Sequence, residues 1–114
     1  MPLARTESPA EALLHAALLR RLPAAAELLP QHPCGPFRID LAIISAGRYL
    51  AVEVDGRAVH TSPAQKRRDA ARTRYLELEG WRVTRVWAAE VARDAEAAAR
   101  RIVDVLRGMP RGPR

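Results

Sequence analysis

Residues 52–56 constrain the fold and the chemistry of this chain more than any other stretch, because they place two acids inside an apolar run, Val-Glu-Val-Asp-Gly. Residues two apart on a β-strand point to the same face, so Glu53 and Asp55 are predicted to lie side by side. A buried ionised carboxylate is costly without a partner. The pattern therefore predicts a strand that ends at Gly56 and whose acidic face meets a partner.

A preceding strand over residues 37–44 carries a third acid, Asp40, and Ser45-Ala46-Gly47-Arg48 is typical of a hairpin turn. With Ala46-Gly47 as the turn, Asp40 lies directly opposite Glu53, at the Cβ separation of about 4.5–5.5 Å that cross-strand neighbours have. Three acids would then share one face. The opposite face would be apolar, formed by Ile39, Leu41, Ile43, Leu50, Val52 and Val54.

Three carboxylates this close repel one another unless a cation binds or a proton is shared. A divalent metal held by Asp40, Glu53 and Asp55 is the simplest explanation. Arg38 would lie on the same face, either as a phosphate contact or as an ion-pair partner of Asp40.

The charge of the whole chain fits a partner made of phosphates. Nineteen basic residues against 13 acidic ones give a formal net charge of +6. Arginine dominance also has a simple alternative in the codon bias of a GC-rich genome. Arginines that hold phosphate beside carboxylates that hold a cation are what a metal-dependent nuclease needs.

Length and cysteine content set further limits. A chain of 114 residues predicts one domain, over residues 8–107, with a basic disordered tail at 108–114. The single cysteine, Cys34, excludes an internal disulfide and a Cys-rich structural zinc site, and it fits a reducing, cytoplasmic setting. Neither a membrane span nor a signal peptide is expected.

The remaining elements follow from capping and periodicity. Ser8-Pro9 starts a helix, residues 27–31 form a weak strand that Pro30 either confines to an edge or makes irregular, and residues 33–36 form a loop. A helix from Pro63 to about Glu79, a strand over 81–87 and a final helix capped by Asp94 complete the chain. The order α-β-β-β-α-β-α predicts an α/β fold, specifically an α+β sandwich with a small mixed sheet flanked by helices.

The helix after residue 62 is strongly basic. Ala71, Tyr75 and Leu78 are predicted on its core side, and a neighbouring stripe holds Gln65, Asp69, Arg72 and Leu76. Its arginines are either a solvated face, with Asp69 and Arg72 as an i,i+3 pair, or a phosphate-facing surface. The predicted nucleic-acid contacts are Arg38, Arg57, Arg67, Arg68, Arg72 and Arg74.

Asp40 followed by Glu53-Val54-Asp55-Gly56 and then His60 resembles the restriction-endonuclease-like, or PD-(D/E)XK, superfamily. More closely, the chain is similar to a small uncharacterised family related to the very-short-patch mismatch repair endonucleases. The resemblance covers residues 8–106. It includes residues 8–14, 31–33, 39–40, 68–69, 72, 76, 80–83 and 85–87.

The resemblance implies a DNA endonuclease with Mg²⁺, for which Mn²⁺ substitutes. It makes Asp40 the central metal ligand, completed by Glu53 or Asp55, and His60 a general acid or base. Glu11 and Asp69 match outer acidic positions that orient water or the His60 ring. Structural alternatives are a capping box for Glu11 and a surface or capping histidine for His60.

Two features depart from those families. Asp55 stands where the superfamily usually has a lysine, so water activation rests on the metal or on His60. Residues 57–59 lack the aromatic wedges of the mismatch repair enzymes, so specificity for T:G mismatches is not expected. A catalytically silent nucleic-acid-binding module of the same fold is the alternative function. A compact nuclease would need a homodimer or a partner protein to cut both strands.

Overall fold

The computed structural model of the protein describes residues 8–56 and 62–112. Along these residues the elements are α1 (Pro9–Arg21), β1 (Glu27–Cys34), β2 (Phe37–Ser45), β3 (Arg48–Asp55), α2 (Pro63–Leu78), β4 (Arg82–Trp87), α3 (Ala88–Arg93) and α4 (Ala95–Gly108). The predicted α+β class and element order are confirmed. The short helix α3 is an addition that the sequence pattern did not predict. No helix of the described ranges is long and apolar enough to cross a membrane.

The four strands form one mixed sheet in the order β1-β2-β3-β4. The first three strands are antiparallel, whereas β4 runs parallel to β3 after the α2 crossover. The predicted hairpin register is confirmed, because Leu41 pairs with Val52. Ala46 and Gly47 have φ values of 54° and 74°, which identifies the two-residue type I′ turn that suits the twist of a hairpin.

Strand β1 lies at an edge of the sheet, as Pro30 predicts, but it is longer than expected. It continues through Pro33 to Cys34, so the predicted loop over residues 33–36 is reduced to a tight turn. An edge strand tolerates proline because one side of its backbone has no strand to bond. Gln31, with φ of 51°, distorts β1 at the level of Asp40.

The apolar residues divide into two clusters, one on each face of the sheet. Helices α1, α3 and α4 cover one face, and α2 covers the other. The prediction that Ile39 shares a face with Leu41 is wrong, because Ile39 packs in the α2 cluster. The antiparallel pairs of β2 and β3 reach only to Leu41, and at Asp40 side-chain hydrogen bonds join the strands instead. Strand alternation is broken at this point.

Helix α2 begins at the predicted Ser62 cap, where Ser62 and Gln65 form a capping box. The core side predicted for this helix is wrong in part, since Ala71 is exposed and the Leu78 side chain is 71% exposed. Leu76 is fully buried instead. The stripe that includes Leu76 therefore faces the sheet, and it brings polar residues of the same stripe to the acidic strands.

The chain after α4 returns to the β2–β3 hairpin. Met109 is buried, and its carbonyl accepts a hydrogen bond of 2.8 Å from Arg48 Nε. The Gly112 amide donates a hydrogen bond of 3.2 Å to the carbonyl of Ala46. The domain limits at residues 8 and 107 and the disorder of the tail stay predictions.

Candidate active-site cleft

The predicted acidic face opens into a cleft of about 440 Å³ between the sheet and helix α2. Strands β2, β3 and β4 supply its floor, and α2 supplies its other wall. The lining residues are Asp40, Glu53, Val54, Asp55, Gln65, Arg68, Asp69, Arg72 and Arg85. The structure thus brings the three acids of the hairpin together with a fourth acid and three arginines.

Asp40 and Glu53 are connected through backbone amides. The amide of Asp40 donates a 3.1 Å hydrogen bond to Glu53 Oε2, and the amide of Val54 donates a 2.9 Å hydrogen bond to Asp40 Oδ2. Each carboxylate is therefore held by the opposite strand. This crossed arrangement orients both side chains without a bound ligand.

Arg72 neutralises the most buried of these acids. The guanidinium donates through Nε at 2.9 Å and through Nη2 to Glu53 Oε1, and Nη2 also donates to the carbonyl of Arg38. Glu53 is only 7% exposed. Burial, followed by the nearby charge of Asp40, raises the pKa of the Glu53 carboxyl, and Arg72 acts in the opposite direction.

The chemistry of the donor set fits a hard cation such as Mg²⁺, because the carboxylates of four acidic residues line the same cleft. In the described residues, however, no group of three His, Cys, Asp or Glu side chains is arranged to hold a metal ion. Glu53 directs one oxygen to Arg72 and the other to the Asp40 amide. Coordination by Asp40, Glu53 and Asp55 stays a prediction.

The arginines predicted to bind nucleic acid occupy different places. Arg68 lines the cleft beside Asp69, whereas Arg67 and Arg74 are exposed on α2 and Arg38 is exposed on β2. Arg57 and His60 lie outside the described residues.

Glu11 is buried at the start of α1, where its amide donates a 3.1 Å hydrogen bond to Ser8 Oγ. Its carboxylate Oε1 accepts a 2.9 Å hydrogen bond from the side-chain amide of Gln31. Glu11 lines a separate, mostly apolar pocket beside Val54 and Gly56 rather than the acidic cleft.

Arg85 of β4 was not predicted to belong to the site, and Trp87 of the same strand lies next to the acidic strand without lining the cleft. Arg85 is the register partner of Glu53, lines the cleft, and donates a 2.9 Å hydrogen bond to Thr73 Oγ1. Trp87 is the register partner of Asp55 and is 46% exposed. Only the parallel register of β3 and β4 identifies them, and this register has no local sequence signal.

The sequence model of the family described as REase_MTES_1575, a restriction-endonuclease-like family, matches residues 16–106. Uncharacterized protein YcjD of Escherichia coli (strain K12) is 36% identical over 76 residues, which are 67% of this chain. The match spans 61% of that relative, so the chain covers less than two thirds of its length.

Proposed function

The chain belongs to the restriction-endonuclease-like family REase_MTES_1575, and on this premise we propose that it is a metal-dependent endonuclease that hydrolyses phosphodiester bonds in DNA. The observation that carries the proposal is the cleft in which four carboxylates meet three arginines on the sheet. Carboxylates suit a divalent cation, and guanidinium groups suit the phosphates that the cation must approach.

We assign the metal-binding role to Asp40 and Asp55, with Glu53 and the Val54 carbonyl as further oxygen donors. Mg²⁺, or Mn²⁺ in its place, would supply electrostatic stabilisation of the charge on the phosphoryl oxygens and activation of the attacking water. Asp69 is suited to orient that water from α2, and His60 to transfer a proton. Glu11, which lies in a separate pocket, is assigned to the support of α1.

The arginines are assigned to the DNA backbone. Arg68 and Arg85 line the same cleft as the acids, so both can contact a phosphate that enters it. Arg72 supports the site by its ion pair with Glu53. The proposal also includes membership of the PD-(D/E)XK group and a relation to the very-short-patch repair enzymes. It assigns the protein a role in DNA repair or restriction.

A catalytically silent DNA-binding module is the second candidate. The pairing of Arg72 with Glu53 favours it, because that pairing engages one of the three acids needed for a metal site. Asp55 in place of the usual lysine favours it as well. This candidate predicts binding to DNA that weakens with salt and no Mg²⁺-dependent product.

The deciding experiment compares Mg²⁺-dependent cleavage of nicked, branched, mismatched and single-stranded DNA by the wild type and by Asp40→Asn. Asparagine retains an oxygen that can accept the hydrogen bond from the Val54 amide, so the fold should survive. We expect a loss of about 10²–10³-fold in rate, the usual effect of removing one group that stabilises transition-state charge.

Glu27→Gln is the matched control, because Glu27 is exposed on the edge strand β1, away from the cleft. It removes one carboxylate charge and should cleave like the wild type. Cleavage by Asp40→Asn at the wild-type rate would refute the metal-dependent mechanism. Binding without any Mg²⁺-dependent product in the wild type would establish the silent module instead.

A further inference from the structure

A second charged cleft lies between helices α1 and α4, and its net charge is opposite in sign to that of the acidic cleft. Its volume is about 240 Å³, several times the ~30 Å³ that one water molecule occupies in the liquid. The lining residues are Arg20, Arg21, Arg100, Val103, Asp104 and Arg107. We refer to this site as the arginine cleft.

Helical spacing explains why these arginines converge. Arg100 and Arg107 are seven residues apart on α4, so they lie on one face of the helix. Val103 lies between them, and its side chain is buried in the cluster that α1 and α4 share. Arg20 and Arg21 are in the last turn of α1. The packing of α1 on α4 therefore brings cationic groups from two helices to one concave surface.

The acids nearby do not neutralise this surface. Glu96 pairs with Arg20 and Arg21, and the hydrogen bond from Arg20 lowers the pKa of its carboxyl. Within the part of the chain that the structure describes, the ion pairs include neither Arg100 nor Arg107. The cleft thus has four guanidinium groups against two carboxylates, Asp104 in its lining and Glu96 beside it. A bound anion would reduce the repulsion among these like charges.

We propose that the arginine cleft binds backbone phosphates of DNA as a second contact site, separate from the acidic cleft. The inference rests on the proposed function only in taking DNA as the polyanion. Helices α1 and α4 cover the sheet face opposite to α2, so the two clefts lie on opposite sides of the sheet. DNA held at both sites must pass around the domain, or two separate DNA segments must bind.

The test uses the double variant Arg100→Gln/Arg107→Gln in EDTA, where cleavage is absent and only binding is measured. Fluorescence anisotropy with a labelled duplex gives the affinity at several salt concentrations. The slope of log affinity against log salt is negative, and each lost phosphate contact makes it less steep by about 0.9. The slope of the double variant should therefore be less steep than that of the wild type by about 1.8. With equal affinities of the two proteins at 1 M salt, this difference in slope makes the affinity of the double variant about 60-fold lower than that of the wild type at 0.1 M salt.

Arg82→Gln/Arg93→Gln is the charge-matched control. Both residues are exposed, and neither lines the arginine cleft or the acidic cleft. This control should retain the wild-type slope and affinity within about threefold. An equal loss of DNA affinity in both double variants would mean that only the net charge matters, and it would overturn the proposal. Unchanged DNA affinity in both variants would overturn it as well. Thermal unfolding of each variant checks that the fold is retained.

Two further probes test whether the cleft serves another anion. Phosphatidylglycerol vesicles present phosphate on lipid, and polyglutamate presents carboxylates on peptide. If Arg100→Gln/Arg107→Gln loses binding to either probe while its DNA affinity is unchanged, the assignment to DNA is wrong. If the cleft binds DNA as expected but the wild type yields no Mg²⁺-dependent product, the second site stands and the nuclease proposal alone fails.

Discussion

Replacement of Arg72 by glutamine removes the cation that lies against the buried carboxylate of Glu53. Glutamine has a helix propensity close to that of arginine, so α2 itself should tolerate the change. The variant therefore removes the ion pair across the acidic cleft, together with the hydrogen bond to the Arg38 carbonyl and the contact with the Phe37 ring. We expect Arg72→Gln to destabilise the fold and to make its stability more dependent on pH.

The magnitude follows from the burial of the pair. Removal of one partner from a buried ion pair costs about 3–5 kcal/mol, because the other charge is left uncompensated. The side chains of Arg72 and Glu53 are 25% and 9% exposed, so water reaches the arginine side and the lower end applies. A loss of about 3 kcal/mol, with an unfolding entropy of about 2.1 cal/mol/K for each of 114 residues, lowers Tm by about 12 °C.

The pH dependence has a definite sign. The pKa of Glu53 is raised above its ordinary value of 4.5, first by burial, so the folded state binds the proton more readily than the unfolded state. The free energy of unfolding then falls as pH rises from about 4.5 through the folded-state pKa. Removal of Arg72, which lowers this pKa, extends the fall to higher pH. The difference between wild type and variant should be small near pH 4 and largest near pH 8.

Urea unfolding at pH 4, 6 and 8 measures both effects, and a cycle with Glu53→Gln isolates the coupling between the two side chains. Arg74→Gln, an exposed change on the same helix, is the matched control and should stay within about 0.5 kcal/mol of the wild type. A loss of less than about 1 kcal/mol for Arg72→Gln at pH 8, or an equal loss at pH 4 and pH 8, would contradict a buried ion pair between Arg72 and Glu53.

Two further variants test the hairpin turn and the exposed end of β4. Ala46 has φ of 54°, a backbone conformation that Asn adopts more readily than Ala. Ala46→Asn should therefore raise the free energy of unfolding by about 0.5–1 kcal/mol and Tm by about 2–4 °C. An unchanged Tm in calorimetry would count against the type I′ assignment. Trp87 is exposed beside Asp55 and should stack on a base of bound DNA, so DNA should quench its fluorescence and Trp87→Leu should lose about 1–3 kcal/mol of binding. Quenching that persists in Trp87→Leu would assign the signal to Trp81 and contradict the stacking.

The acidic hairpin could be predicted because its determinants are local. The Ala46-Gly47 turn and the alternation of acids with apolar residues together select one register, and a slip of one residue would bury the acids in the apolar core. The helix caps at Ser8, Ser62 and Asp94 are local signals of the same kind, and all three accept the expected hydrogen bonds. The fold class followed from the order of these elements.

Contacts between distant elements could not be predicted in the same way. Helix α2 has so few apolar residues that periodicity alone does not select its core side, and its orientation depends on Leu76 and on the Arg72–Glu53 pair. The sequence pattern allowed Arg72 to be a phosphate contact or a partner of Asp69, and the structure pairs it with Glu53 instead. The same limit applies to Arg85, whose position in the cleft depends on the parallel register of β4.

The charges of the two clefts imply different roles for a metal ion. Four carboxylates and three guanidinium groups line the acidic cleft, which leaves one net negative charge facing a phosphate that is itself anionic. A bound divalent cation reverses that sign, so the cation and DNA should each strengthen the binding of the other. The arginine cleft has an excess of positive charge without any metal. Binding to DNA in EDTA should therefore depend on the α1–α4 side of the sheet, and the added affinity with Mg²⁺ should depend on the α2 side.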